Sequence, residues 1–428
     1  MTIFAQNVNH ANIFLKIIIN NAIFENKLIS SYCSIEFSED RLKLSISIPG
    51  DGGSQLEATL NKSSVVHYLC EKISSDFFTI WLNKELLVPL VIDCWIDNMK
   101  LHYNNSTRMT GNPEGVTTRV PGWGDPEPVE WLDPSHASAG AYFKDIANAL
   151  VGLGYVRNVS IRGAPYDFRK APNENAEFFV KLKSLIEETF SINNQSKVTL
   201  ITHSMGGPMA LYFLQKQSKK WKDTYVERMV TLAAPWGGAV KAIKVFAIGD
   251  DLGSFVLRES ILKEQQITSP SLSWLLPSPL FWKESEVLVQ TDKQNYTIKD
   301  LEKFFSDIEY PTGWEMRKDT IEYTMDFSPP GVDLHCLYGT DVPTVEKLVY
   351  KPGTWLDGYP TLANGDGDGT VNIRSLEGCL HWSGNKRRKW GLKTHGFKSV
   401  KHLPLPKADH LGVLSDARVI DYIKTIFA

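Results

Sequence analysis

A chain of 428 residues, 43% hydrophobic and 22% charged, is long enough to bury a large core in one elaborated domain or two. Its formal net charge of −3 carries no polyanion-binding signature, which excludes nucleic acid as an expected partner. No apolar run approaches the roughly 18 residues that a membrane-spanning helix requires.

Residues 1–40 form an N-terminal extension. Its apolar stretch at 11–20 is interrupted by Lys16 and followed by no clean small-residue cleavage site, so it reads as a degenerate leader or a disordered segment. Residues 41–48 (RLKLSISI) alternate polar and apolar, which predicts a half-buried strand. They run into Pro49-Gly50-Asp51-Gly52-Gly53, a turn whose glycines permit dihedrals that aim backbone N–H groups outward. The stretch 63–100 is crowded with large apolar side chains and breaks the rhythm of the chain, as an insertion would. Helical periodicity follows at 142–153, strand character at 159–162, and a helix at 174–190.

The most informative segment is Val-Thr-Leu-Ile-Thr-His-Ser-Met-Gly at 198–206. An apolar strand ends there in a serine, Ser204, and a helix-like stretch follows at 209–217. Strand, sharp turn bearing Ser, and helix together make a nucleophile elbow, although Thr202 stands where the usual pattern has glycine. A Ser cap on an ordinary helix is the alternative. A further strand at 228–232 precedes Ala-Pro-Trp-Gly-Gly, and 237–332 is long, mixed and aromatic, with room for a cap and a lid. A late strand at 334–338 and a closing helix at 416–428 complete the pattern. Strands alternating with helices imply a mainly parallel sheet covered on both faces.

Six Asn-X-Ser/Thr sequons begin at Asn61, Asn104, Asn105, Asn158, Asn194 and Asn295, which leans toward a glycosylated protein of the secretory route. In that compartment Cys70 could bridge to Cys94 and Cys336 to Cys379, leaving Cys33 odd; free buried thiols are the alternative.

A serine nucleophile needs a base, a group that orients the base, and donors for an oxyanion. The acid candidate lies in the glycine-flanked loop Gly365-Asp366-Gly367-Asp368-Gly369, and the base candidate is His410, close to the C-terminus. Serine, acid, histidine is the order that α/β-hydrolases use. A calcium loop is the rival reading of 365–371, but it lacks the further oxygen ligands and the closing Glu. His335, His381, His395 and His402 compete with His410 and read as structural or surface residues. Backbone amides of Asp51 and Met205 are the candidate oxyanion donors.

The segments PGDGGSQLEA, HYLC, TIWLN, DCWIDN, GAPYDFRKAPNEN, HSMG, APWGG, HCLYGT and GDGDGTVN resemble the lecithin:cholesterol acyltransferase family, from about residue 44 to the C-terminus. Within it, APNENAEFF is nearer to the lysosomal phospholipase A2 branch than to the plasma acyltransferase branch. The resemblance implies an α/β-hydrolase at 41–428 with a membrane-binding insertion at about 63–100 and a cap and lid at about 237–332. It implies a catalytic set of Ser204, Asp368 and His410, oxyanion amides on Asp51 and Met205, and disulfides Cys70–Cys94 and Cys336–Cys379. Lys241 matches a lid-region lysine near the substrate, and Asn105 and Asn295 match glycosylation positions.

The activity so implied is hydrolysis of a glycerophospholipid ester through an acyl-serine, with the acyl group passing to water or to a lipophilic alcohol such as ceramide. Trp81, Leu82, Leu86, Leu87 and Leu90 are expected to face a phospholipid membrane or lipoprotein surface, with simple core packing as the alternative. No metal or organic cofactor is expected, the chain is expected to act as a monomer, and the expected home is the lysosome or the secreted route. The alternatives are a sterol acyltransferase and a non-enzymatic lipid binder.

Overall fold

The computed structural model describes residues 43–252, 258–383 and 398–428. The extension at 1–40 with Cys33, and His395, lie outside the described residues. Six strands form the main sheet: β1 (Leu44–Ile48), β2 (Ile161–Gly163), β3 (Val198–His203), β4 (Val226–Leu232), β5 (Asp333–Thr340) and β6 (Val400–Pro406). Their spatial order is β6-β5-β4-β3-β1-β2, and every pairing is parallel. The chain leaves β1 toward β2 on one side and then returns to β3 on the other. That reversal opens a crevice at the C-terminal ends of β1 and β3, where ligands of open α/β sheets bind.

The strand at 41–48 was expected to be half-buried, yet all five residues of β1 are buried. Its alternating polar residues within the strand are Ser45 and Ser47, small enough to lie inside a central strand covered on both faces. Helices Ala176–Ile192 and Gly206–Gln215 pack on β1 and β3, and Lys144–Val151 packs against the closing helix Ala417–Phe427. Strand β6 carries Pro404 and Pro406, which hides it from sequence patterning. It is an edge strand, the place where a missing N–H is tolerated.

The stretch at 63–100 contributes the strand Phe78–Trp81 to a three-stranded antiparallel sheet with Leu56–Leu60 and Val116–Arg119. Cys70 is bonded to Cys94 with Cα atoms 5.3 Å apart, tying a loop to the helix Ile92–Met99. Cys336 of β5 is bonded to Cys379. A second hydrophobic cluster is built from Phe246, Trp282, Tyr296, Phe304 and Phe305, together with Leu348 and Tyr350. The last two belong to chain beyond residue 332, because the strand Thr344–Val349 pairs with Val289–Gln290 and Thr361–Gly365.

The outward orientation expected of five apolar residues needs correction. Trp81, Leu86 and Leu87 are half-buried against the main core, Leu82 is half-buried too, and only Leu90 is broadly exposed. Trp81 turns inward because its indole N–H finds an acceptor there, the Gly52 carbonyl at 2.8 Å, while its ring lies beside Trp95 and Phe168. The apolar side chains that do reach outward in this region are Val66, Tyr68, Leu69, Ile73, Val88 and Leu90.

Candidate active site

Ser204 follows the last residue of β3 and has a φ of 51°, the left-handed conformation that turns its side chain out of the strand-to-helix corner. The corner is possible only because its neighbours lack side chains. A Cβ on Gly206 would lie 2.4 Å from the Ile48 and Pro49 carbonyls, and one on Gly50 would lie 2.6 Å from the Ser204 Cβ. Thr202 fits beneath the corner, fully buried, but its hydroxyl finds no partner.

Three distant segments meet at this corner. The His410 Nε2 is 2.9 Å from the Ser204 Oγ, and the His410 Nδ1 is 2.8 Å from the Asp368 Oδ2. Asp368 has no exposed surface, and its other oxygen accepts the amides of Val371 at 2.7 Å and Thr370 at 3.0 Å. Its main-chain carbonyl also accepts the His410 amide at 2.9 Å, so the loops at 365–371 and 408–412 are joined by backbone as well as side chain. The orientation leaves Nε2 of His410 facing the hydroxyl proton, the arrangement that a general base requires. Asp366 instead accepts the Asp341 amide and stands away from this chain of contacts.

Met205 caps the helix Gly206–Gln215, where the first N–H groups have no partner within the helix. Asp51 lies in the turn after β1, across the crevice. Lost hydration pushes its carboxyl up to about 7, partly opposed by the Gly52 amide. Lys241 forms an ion pair with Asp250 at 3.3 Å. Lys244 joins Asp250 and Glu259 in the same group, so the acidic cluster Asp250, Asp251 and Glu259 already holds two ammonium partners. Asn105 and Asn295 are both exposed.

Sequence reading did not single out Tyr142, Tyr166 or His203, all buried around the turn after β1. His203 was in view as the neighbour of Ser204; nothing in the pattern around Tyr142 or Tyr166 marks either of them. Of the competing histidines, His335 is a buried strand residue whose pKa falls to about 4 through burial, and His402 lies exposed on β6.

A hydroxyl on a strained corner, an imidazole beside it and a buried carboxylate behind, all at the C-terminal edge of a parallel sheet, define a serine hydrolase of the α/β-hydrolase fold. A family model described as "Lecithin:cholesterol acyltransferase" matches residues 77–416. The Homo sapiens protein named lysosomal phospholipase A and acyltransferase is 46% identical over 89% of this chain and 89% of its own. The Gallus gallus phosphatidylcholine-sterol acyltransferase is 41% identical over 83% and 85%. Among solved structures, the Tle4–Tli4 complex contains a chain with a TM-score of 0.49 and 12% identity, covering 90% of this chain and 98% of that one. The chain belongs to the lecithin:cholesterol acyltransferase family.

Proposed function

We propose that this protein cleaves an acyl ester of a glycerophospholipid through an acyl-serine and passes the acyl group to water or to a lipophilic alcohol such as ceramide. The observation that carries this reading is the unbroken contact chain from the Ser204 hydroxyl through His410 to Asp368. His410 takes the serine proton as Ser204 attacks the ester carbonyl, and Asp368 holds the imidazole in the required tautomer. The amides of Asp51 and Met205 receive the oxyanion, where loss of one donor costs about 100–1000-fold in rate. Collapse of the tetrahedral adduct, with His410 returning the proton to the leaving oxygen, leaves the acyl-serine. Water or an alcohol then repeats the sequence in reverse.

The exposed apolar side chains Val66, Tyr68, Leu69, Ile73, Val88 and Leu90 suit insertion into a lipid surface, each contributing roughly 1.5–3 kcal/mol if fully buried. The stretch at 63–100 is thus read as the membrane-binding insertion, and the second hydrophobic cluster as a cap, which we extend to include 344–365. Lys241 is read as part of that cap, where it pairs with Asp250. Glycans on the exposed Asn105 and Asn295 fit passage through the secretory route to the lysosome or outside the cell.

The test is product analysis on mixed-chain phospholipid vesicles containing ceramide and cholesterol, with a Ser204→Ala control and fluorophosphonate labelling. Free fatty acid plus acylated ceramide, both lost in the control, is the expected result. Acyl transfer confined to cholesterol would assign the sterol reaction instead. An unlabelled Ser204 in folded protein would overturn the acyl-serine altogether.

A further inference from the structure

The turn after β1 and the loop bearing His410 must keep a fixed separation, because one presents an oxyanion donor and the other the base. The structure supplies a link between them. The Gly50 amide donates to the Tyr142 hydroxyl at 3.1 Å, the Tyr142 hydroxyl contacts the His203 Nδ1, and the His203 Nε2 lies 2.8 Å from the His410 carbonyl oxygen. We propose that Tyr142 and His203 are positioning residues whose hydrogen-bonded chain sets the oxyanion turn relative to the base. The proposal rests on the acyl-serine reading above.

The chain has only one consistent polarity. An amide N–H can only donate and a carbonyl can only accept. The Tyr142 oxygen therefore accepts from Gly50, and its proton goes on to the His203 Nδ1. The His203 Nε2 must carry the ring proton and donate it to His410. A doubly protonated imidazole would set two donors against each other at Tyr142. Burial, with His410 alongside, pushes His203 down to about 3, so the neutral form persists well into the acid range.

Packing around the chain is fitted to it. Tyr142 stands nearly perpendicular to His203, with centroids 5.2 Å apart. A Cβ on Gly53 would lie 2.8 Å from the Tyr142 ring and hydroxyl, so the close approach of that turn to Tyr142 requires glycine. Tyr166 donates to the Pro49 carbonyl at 2.9 Å, holding the same turn from a second direction. His410 is thereby gripped on three sides: by Asp368 at Nδ1 and at its amide, by Ser204 at Nε2, and by His203 at its carbonyl. Because His203 directly precedes Ser204, one strand end governs both the nucleophile and the backbone of its base.

The experiment compares Tyr142→Phe, His203→Gln and His203→Leu in the full-length protein with a soluble short-chain ester, each rate normalised to sites titrated by a fluorophosphonate. Misplacement of a reacting group by about 1 Å can cost about 100-fold. Tyr142→Phe is expected to lower kcat by about 10-fold or more with KM unchanged, and to weaken a trifluoromethyl ketone inhibitor, which forms a tetrahedral adduct, in the same ratio. His203→Gln keeps a donor for His410 and is expected to retain more activity per titrated site than His203→Leu. Normal kcat per titrated site in Tyr142→Phe, or equal rates in the two His203 variants, would overturn the proposal, since a merely structural role lowers the number of titratable sites and not the rate at each. Should Tyr142→Phe fail to fold, the His203 pair decides alone. Ester hydrolysis surviving in Ser204→Ala would instead sink the acyl-serine reading on its own.

Discussion

The two hydrophobic units of this molecule hold their buried polar groups in different ways. Around Ser204, the hydroxyl, imidazole and carboxylate satisfy one another: Ser204 and His410 follow strands of the parallel sheet, and Asp368 follows Thr361–Gly365, a strand of the second sheet. In the second unit, Arg317 is buried without a carboxylate partner. Its guanidinium donates to the Ser273 and Trp274 carbonyls at 3.1 Å and to the Pro277 carbonyl at 3.0 Å, and burial pulls its pKa down to about 10. The Arg317 Nε and the Ser271 hydroxyl have no partner there, just as the Ser45 and Thr202 hydroxyls have none in the main unit. The second unit is held by aromatic packing, by the buried Lys244 with its two carboxylates, and by a cation plugging the end of a short helix. Changes at the site should move rate more than stability, and changes at Arg317 the reverse.

Asp368→Asn is the largest expected effect. The substituted amide can still accept from Val371 and Thr370, so the fold should persist, but its NH2 would face the His410 Nδ1 and impose the wrong tautomer. A loss of about 10,000-fold in kcat is expected, with little change in melting temperature. Paired ester kinetics and thermal unfolding check it; a rate within 100-fold of wild type would count against the role of Asp368. Arg317→Met should do the opposite. Removing the guanidinium strands three buried carbonyls, at about 1–3 kcal/mol each, partly offset by no longer burying a charge. A net loss on the order of 3 kcal/mol in denaturant unfolding is expected, with near-normal turnover of a soluble ester. Unchanged stability would erase the contrast between the units.

Asp51 sharpens the electrostatic side of the site. A carboxyl raised to about 7 is neutral in acid and becomes an anion, in the turn that packs against Ser204, as pH rises. Activity on a soluble ester should fall through pH 7, and Asp51→Asn should flatten that limb, with about a 10-fold advantage over wild type at pH 8, one unit above the pKa. The linkage has the same sign for stability: the folded chain binds this proton more tightly than the unfolded one, so the contribution is present at low pH and lost as pH passes 7. Superimposable pH profiles would dismiss Asp51. The smallest effect belongs to Thr202→Val, which removes a buried hydroxyl without a partner and keeps the shape. A gain of about 1 kcal/mol in unfolding free energy is expected; a loss would mean that the hydroxyl is satisfied in solution.

Much of this site was legible because its parts are local. The elbow needs a strand, a serine and small residues in immediate succession, and 198–207 writes all of them consecutively. The Asp368 loop announces itself by its glycines, and His410 by falling after Ser and Asp in chain order. Trp81 was misjudged because an aromatic residue in an apolar stretch reads the same whether it faces lipid or a neighbouring carbonyl. Only the fold brought Gly52 beneath its indole. Strand β6 was hidden because its prolines argue against any strand, and edge position, which makes them tolerable, is a property of the sheet and not of the segment.

By itself, the sequence determined the hydrolase class, the order of the reacting groups and the main alternation of strands and helices, since each is written in short local patterns and in their order along the chain. Tertiary structure alone decided which aromatic residues face outward, where the second core ends, and that Tyr142 and His203 link the turn after β1 to the loop bearing His410. Those outcomes depend on which distant segments become adjacent when the sheet forms, and no local pattern of residue types encodes an adjacency between positions 50, 142, 203 and 410.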